Sequence, residues 1–347
     1  MMSACPPPPS VSGAGDRDPH RFAAGISRSP SSCAQQRKTF HNGAATGIDS
    51  KGKRLATTTT ARDSHVLILD ADPSKAAALK VVMDRYFSVK SDVWSRSRYL
   101  CVADDPLDGA RRALEYARWS VDEACSLIEA NLSWRAKENI DEILKYPLSR
   151  DCVRAIRRAF KDEFSGFDVD GYPVYWCPAG RIDIASLKDV VGLEDLVKYH
   201  VQTMEFNQQV YLRQISFEKG QTIHRFTCMV DLQGFGPRSL SKAFRETMSA
   251  ISTIDRDYYY DNFYRVIIVN APLVFRLFWK TTSALYRAET KAKFIFLDKP
   301  SDLERYIHED QVPARFAPLL HDQPCVFPED VFQLSKHALA MDTYMKE

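Results

Sequence analysis

The chain has 347 residues, with 47 basic and 45 acidic side chains and a net charge of +2. That balance provides no global field for gripping nucleic acid, and no apolar run approaches the roughly eighteen residues of a membrane span. The eight cysteines, at 5, 33, 101, 125, 152, 177, 228 and 325, form no C-x-x-C pair and are expected to be reduced thiols rather than a disulfide framework.

Residues 1–64 read as a disordered basic tail. Pro6 to Pro9, the Ser/Gly/Ala richness and the Thr57–Thr60 run give no periodicity. Its basic bias, with arginines and serines, faintly resembles a transit peptide; a solvated regulatory tail is the simpler reading. Residues 65–150 are expected to form a mainly helical N-terminal lobe. His65–Pro73 reads as a short strand and turn, and Ser74–Phe87 as a helix with Ala77, Val81, Val82 and Tyr86 on one side. The strand ending in acidic residues is faintly like a phospho-receiver domain, but the later strand-borne aspartate and lysine of such a domain are missing. Ser120 and Glu123 form a capping box opening a helix to about Asn139, with Ala124, Ile128 and Leu132 as its buried stripe. Arg157, Arg158 and Lys161 read as a solvated helical face.

Beyond residue 166 strands are expected near 172–177, 225–231, 264–270 and 293–298, and helices near 193–213, 240–253, 272–287 and 302–308. This alternation predicts an α/β fold with a mostly parallel sheet. One helix joins strands 264–270 and 293–298, so they should run parallel. Asp261 and Lys293, before the two strands, then share an edge and can meet, on chemical grounds alone as an ordinary ion pair. The run Val266-Ile267-Ile268-Val269 stops at Asn270-Ala271-Pro272. A helix then begins at the proline, with Phe275, Phe278 and Trp279 on one face; that face is either core or the wall of a ligand pocket.

Catalytic signatures are missing. The histidines at 20, 41, 65, 200, 224, 308, 321 and 337 form no ligand-spaced pair, and Gly234-Phe235-Gly236 lacks the third glycine of a dinucleotide fingerprint. Neither a G-x-S-x-G elbow nor a Walker loop occurs. No catalytic residue, metal or cofactor is expected.

Four blocks in order resemble the CRAL-TRIO lipid-binding domain, particularly the secretory-pathway phosphatidylinositol/phosphatidylcholine transfer proteins. Tyr116-Ala117-Arg118-Trp119-Ser120-Val121 with Trp134-Arg135 is similar to that family's small helical lobe. Asp168-Val169-Asp170-Gly171-Tyr172-Pro173-Val174-Tyr175, with Gly180-Arg181 after it, matches D-x-D-G-x-P-V-Y. Met229-Val230-Asp231-Leu232-Gln233-Gly234 resembles a central strand ending in D-L-x-G. After Asn270-Ala271-Pro272 come Phe275, Trp279, Thr290 and Lys293 at the family offsets. The resemblance spans roughly residues 110–317.

It implies a CRAL-TRIO lipid-binding domain over 151–320 and a C-terminal extension over 321–347. It also implies one phospholipid or similar hydrophobic ligand held in an internal pocket and exchanged between membranes. The head group would fall to Asp261, Lys293, Arg118 and Tyr175, and the pocket and gate to Phe226, Cys228, Phe275, Phe278 and Trp279. The protein would be cytoplasmic and monomeric, and would touch membranes transiently, aided by Arg276, Lys280 and Arg287, with no nucleic-acid partner. The alternative is a lipid sensor or scaffold that presents lipid to a kinase or protein partner without transferring it. Several departures bear on this. Asp261 stands where glutamate is usual, and Phe226 and Cys228 replace the phosphate-contacting serine and threonine. Tyr264 replaces a hinge glycine, and Phe316-Ala317-Pro318 replaces Phe-Gly-Gly; proline fixes φ where glycine frees it.

Overall fold

The computed structural model describes residues 72–182, 184–187, 189–283, 286–326 and 336–345, all within one unit, Thr59–Glu347. The expected tail and the strand before Asp72 lie outside the described residues.

Carboxylate and hydroxyl caps start the helices of the N-terminal part. Asp72 accepts from the Ser74 and Lys75 amides at 3.0 and 3.3 Å to open α1 (Pro73–Val82), and Asp105 does the same for α2 (Pro106–Tyr116). Such caps satisfy amides that a helix start leaves unpaired. Helix α1 runs into a π turn over Met83–Phe87 and buries Ala78, Leu79, Val82, Tyr86 and Phe87. Of the expected face, Val82 and Tyr86 are buried, whereas Ala77 and Val81 are exposed and Ala78 and Leu79 take the inner side instead. In α3 (Val121–Lys137) the expected stripe of Ala124, Ile128 and Leu132 is buried, and Ser120 Oγ accepts from the Glu123 amide at 3.3 Å. The return half of the capping box is not made, since the Glu123 carboxylate pairs with Arg287 instead. Arg157 on α4 (Arg150–Phe160) is not a solvated residue. It is buried, donating to the Tyr199 hydroxyl at 3.0 Å and pairing with Asp342 at 2.8 Å.

The sheet has the order β1 (Glu163–Phe167), β2 (Pro173–Cys177), β3 (Phe226–Asp231), β4 (Phe263–Val269), β5 (Phe294–Phe296). Only the β1–β2 pair is antiparallel; the other three pairs are parallel. Strand β1 was not expected, because Gly166 (φ +69°) and Ser165 break any alternation. The predicted helix 193–213 is α5 (Leu193–Phe206), a π turn and α6 (Leu212–Lys219); α7 spans Lys242–Asp257. Helix α8 is Leu273–Thr282, with Pro272 as its cap rather than its first turn, and α9 is Ala288–Ala292. The turn near 302–308 is a 3-10 helix, Pro300–Arg305.

Successive strand residues face opposite sides. One face carries Val174, Trp176, Met229, Ile267 and Val269, buried against Leu303, Ile307, Phe316 and Leu319. The other carries Phe226, Cys228, Val266 and Ile268, with Tyr175, Val230, Phe294 and Phe296 only half covered. Helix α8 lies on this second face: Trp279 packs on Phe294 at 4.3 Å and Phe275 on Phe235 at 5.4 Å. The C-terminal helix α10 (Lys336–Tyr344) closes the β1 side, with the His337 ring tilted or edge-on to Phe164, Phe206 and Tyr211 at 4.8–5.2 Å.

Candidate functional site

Three adjacent parallel strands begin at one edge of the sheet, and a charged residue stands just before each: Arg225 before β3, Asp261 before β4, Lys293 before β5. Lys293 Nζ donates to Asp261 Oδ1 and to the Phe263 carbonyl, both at 2.7 Å, so the expected pair is formed. Arg225 Nε donates to the other oxygen, Oδ2, at 3.0 Å. Asp261 has φ +65°, a left-handed conformation that aspartate tolerates better than most side chains. This gives a physical reason for a short carboxylate here. Burial alone would raise the Asp261 carboxyl, but His224, Arg225 and Lys293 outweigh it and hold it well below the usual carboxylate range. Of these, His224 Nε2 stands 3.8 Å away, beyond hydrogen-bond reach, while its Nδ1 pairs with buried Asp108 at 2.8 Å.

The trio borders a cavity of about 600 Å³, within the usual range for small-molecule pockets. Its walls also include Glu115, Tyr116, Tyr260, Phe263, Arg287, Thr290 and Phe294. Tyr116 stacks on Tyr260 at 4.9 Å, and the Arg287 guanidinium lies 4.5 Å from the Tyr116 ring centre.

The other expected residues are scattered. Arg118 is not part of the cavity wall: in a left-handed turn (φ +51°), it points to Glu289 at 2.9 Å with its side chain largely exposed. Tyr175, two strands from β4, donates its hydroxyl to Asp162 and packs on Phe164 at 5.0 Å. Phe226 is buried between Phe164 and Phe263, at 5.2 and 5.1 Å. Cys228 is buried too, and burial pushes its thiol up to about 12. Phe275, Phe278 and Trp279 share the inner face of α8, half-buried, while Leu273 and Leu277 on its outer side are exposed.

Sequence reading missed Arg225, Glu115 and Arg287 as pocket residues. Arg225 was detectable, since it precedes its strand as Asp261 and Lys293 precede theirs. Among the described residues no cluster of three or more His, Cys, Asp or Glu is placed to hold a metal, and no helix is long and apolar enough to cross a membrane.

Residues 161–317 match the CRAL/TRIO domain family. The chain is 28% identical to Protein real-time of Aedes aegypti, over 58% of this chain and 32% of that protein. It is 26% identical to the phosphatidylinositol/phosphatidylcholine transfer protein SFH12 of Arabidopsis thaliana, over 76% of this chain and 48% of that protein. It thus spans about a third to a half of the length of these relatives. The solved structure of Sfh5 superposes with a TM-score of 0.52 at 14% identity, covering 68% of this chain and 84% of that one, a likeness of fold.

Proposed function

Because residues 161–317 of this chain match the CRAL/TRIO domain family, we propose that it binds one phospholipid, with phosphatidylinositol favoured, and exchanges it between membranes as a cytoplasmic, peripherally bound carrier. The observation that carries this reading is the edge trio of Arg225, Asp261 and Lys293 at a cavity of about 600 Å³, beside the half-covered aromatic face under α8. Lysine and arginine offer charge-assisted donors to a phosphodiester, and Asp261 and Thr290 offer partners for ring hydroxyls. The acyl chains would lie along Phe263, Phe294, Phe296 and Trp279.

The work proposed is physical rather than catalytic. Each acyl methylene exposed to water costs about 0.8 kcal/mol, so a lipid of some thirty methylenes does not cross water unassisted. An apolar wall lowers that barrier without making or breaking bonds.

The contacts of two residues favour the second reading, a sensor that holds lipid and presents it. Tyr264, at an expected hinge, stacks on Tyr172 at 3.9 Å and donates to Asp170 at 3.2 Å. Phe316, before Ala317-Pro318, is fully buried on Trp176 at 5.0 Å. Both fix segments that a swinging gate must release. Mass spectrometry of lipid co-purifying with the full chain, followed by exchange between vesicles, tests both readings. Bound lipid with rapid exchange supports the carrier, and bound lipid without exchange supports the sensor. A chain that stays empty and takes up no lipid overturns both.

A further inference from the structure

Helix α10 has nine residues. A free helix of fewer than about twelve residues is marginal in water, so its order comes from the groove it fills. His337, Met341 and Tyr344, at i, i+4 and i+7, form its inner stripe. Met341 is fully buried, His337 meets Phe164 and Tyr211, and Tyr344 lies edge-on to Phe206 at 5.9 Å. Leu339, Ala340 and Thr343 are exposed. This is the spacing by which an amphipathic helix reads an apolar groove.

The ring of Phe164, on edge strand β1, links α10 to the half-covered sheet face. It meets His337 at 4.9 Å, and also Tyr175 and Phe226 of that face at 5.0 and 5.2 Å. Lifting α10 therefore uncovers the β1 end of the face. The sheet edge on which α8 packs, at β5, is the opposite one.

Two polar clasps hold the helix down: His337 Nε2 lies 2.7 Å from Asn207 Oδ1, and Asp342 pairs with Arg157 at 2.8 Å. Arg157 is buried, and stripping a buried cation of its carboxylate is costly enough to pin such a helix in place. Here the arginine has a second carboxylate nearby. Asp162 follows two residues after the end of α4, the helix that carries Arg157, and accepts the Tyr175 hydroxyl. Burial raises the Asp162 carboxyl, against the pull of Tyr175 and Arg157. While Arg157 Nε donates to Tyr199 and one terminal nitrogen faces Asp342, its other terminal nitrogen is buried with no hydrogen-bond partner among the described residues. A guanidinium fork can turn between two carboxylates without losing its charge partner.

Resting on the lipid-binding reading above, we propose that α10 is a reversible cover over the β1 end of the ligand face, and that Arg157 permits its release by exchanging Asp342 for Asp162. Arg157 stays paired in both states, and the cover opens a way to the aromatic face that does not require α8 to move.

The test follows amide hydrogen exchange along the full chain by mass spectrometry, together with lipid transfer between vesicles of phosphatidylcholine and phosphatidylinositol. In the native chain the amides of α10 should exchange at least tenfold faster than those of β3, as a locally opening element does. Met341→Asp, which puts a charge into the groove, should strip protection from α10 alone and raise the transfer rate at least threefold. Should that variant fail to fold, Asp342→Asn, which loosens the clasp at a half-buried position, takes its place with the same expectation. Asp162→Asn keeps an acceptor for Tyr175 but offers Arg157 no charge, so it should slow α10 exchange at least threefold, a direction that a merely structural loss does not give. In whichever cover variant folds, loss of β3 protection along with α10, or an unchanged transfer rate, overturns this proposal alone. So does Asp162→Asn exchanging at α10 as fast as the native chain or faster. A native chain that loads no lipid overturns the parent reading, and the cover with it.

Discussion

Asn270 Nδ2 donates to the Asp231 carboxylate at 2.9 Å, joining the ends of β4 and β3 at the edge opposite the Arg225–Asp261–Lys293 trio. Asp231 is fully buried and also accepts from Arg181 at 3.1 Å and from the Gln233 amide at 2.9 Å. Three of the motif blocks, those holding Arg181, Asp231 and Asn270, therefore converge on one carboxylate. Their role here is architectural.

That convergence gives a stability prediction. Asn270→Ala removes a partner from a buried carboxylate and forces alanine into φ +55°. The lost bond should cost about 1–3 kcal/mol and the left-handed backbone about 1–2 kcal/mol more. Asn270→Gly suffers the first loss without the second, so urea denaturation should rank native above glycine above alanine. Equal losses for the two variants would show that the backbone conformation contributes nothing.

The same knot explains what the sequence revealed and what it hid. Buried parallel strands read as continuous apolar runs, so β3 and β4 were legible, and with them the meeting of Asp261 and Lys293. Strand β1 was not, because Glu163-Phe164-Ser165-Gly166-Phe167 carries neither a run nor an alternation. The motif blocks carry the family resemblance through residues that hold the fold, such as Asp168, whose carboxylate closes its own turn by accepting from the Tyr172 amide at 2.9 Å. The pocket cations were harder to read. An offset locates Arg118 at a helix end but not the direction of its side chain, which a left-handed turn sends to Glu289. Arg157 looked solvated because its partner, Asp342, lies on a distant helix.

His337 supplies a pH dependence. It is buried on the inner side of α10 with Nε2 2.7 Å from Asn207 Oδ1, and burial, with Arg157 nearby, pushes its imidazole down to about 3. The ordinary value is about 6.5, so in acid the unfolded chain binds the proton first. Stability from this residue is therefore complete above about pH 6.5 and falls as the pH drops towards the folded value, by about 2 kcal/mol at pH 5. Urea midpoints at pH 7 and pH 5 check it. His337→Gln, which keeps a polar group but does not titrate, should show a smaller drop than the native chain; an equal drop assigns the acid sensitivity to other groups.

The Lys293–Asp261 pair separates a lipid site from a structural ion pair. Lys293→Ala should weaken phosphatidylinositol uptake by about 1.5–3 kcal/mol, the worth of a hydrogen bond to a charged group, and leave phosphatidylcholine uptake nearly unchanged. Competition between the two lipids in one vesicle population measures this directly. Equal losses for every lipid would reduce the pair to a strut between β4 and β5.

Helix α8 carries the last expectation. Its inner face packs on the sheet, whereas Leu273 and Leu277, four residues apart, are 73% and 57% exposed and flanked by Arg276 and Lys280. Two leucines on one helical face, rimmed by cations, suit insertion into the head-group region of an anionic membrane. Burying a leucine is worth about 1.5–3 kcal/mol, so replacing both with serine should weaken vesicle binding by roughly tenfold or more, even with partial insertion. Arg276→Gln with Lys280→Gln should act differently, removing about 1 kcal/mol per charge and flattening the salt dependence. Phe217, 84% exposed on α6, is the control for generic stickiness: Phe217→Ser should bind vesicles as the native chain does. Vesicle sedimentation across a salt series reads all three variants, and a Phe217→Ser loss as large as that of the leucine pair would sink the assignment of α8 as the docking element.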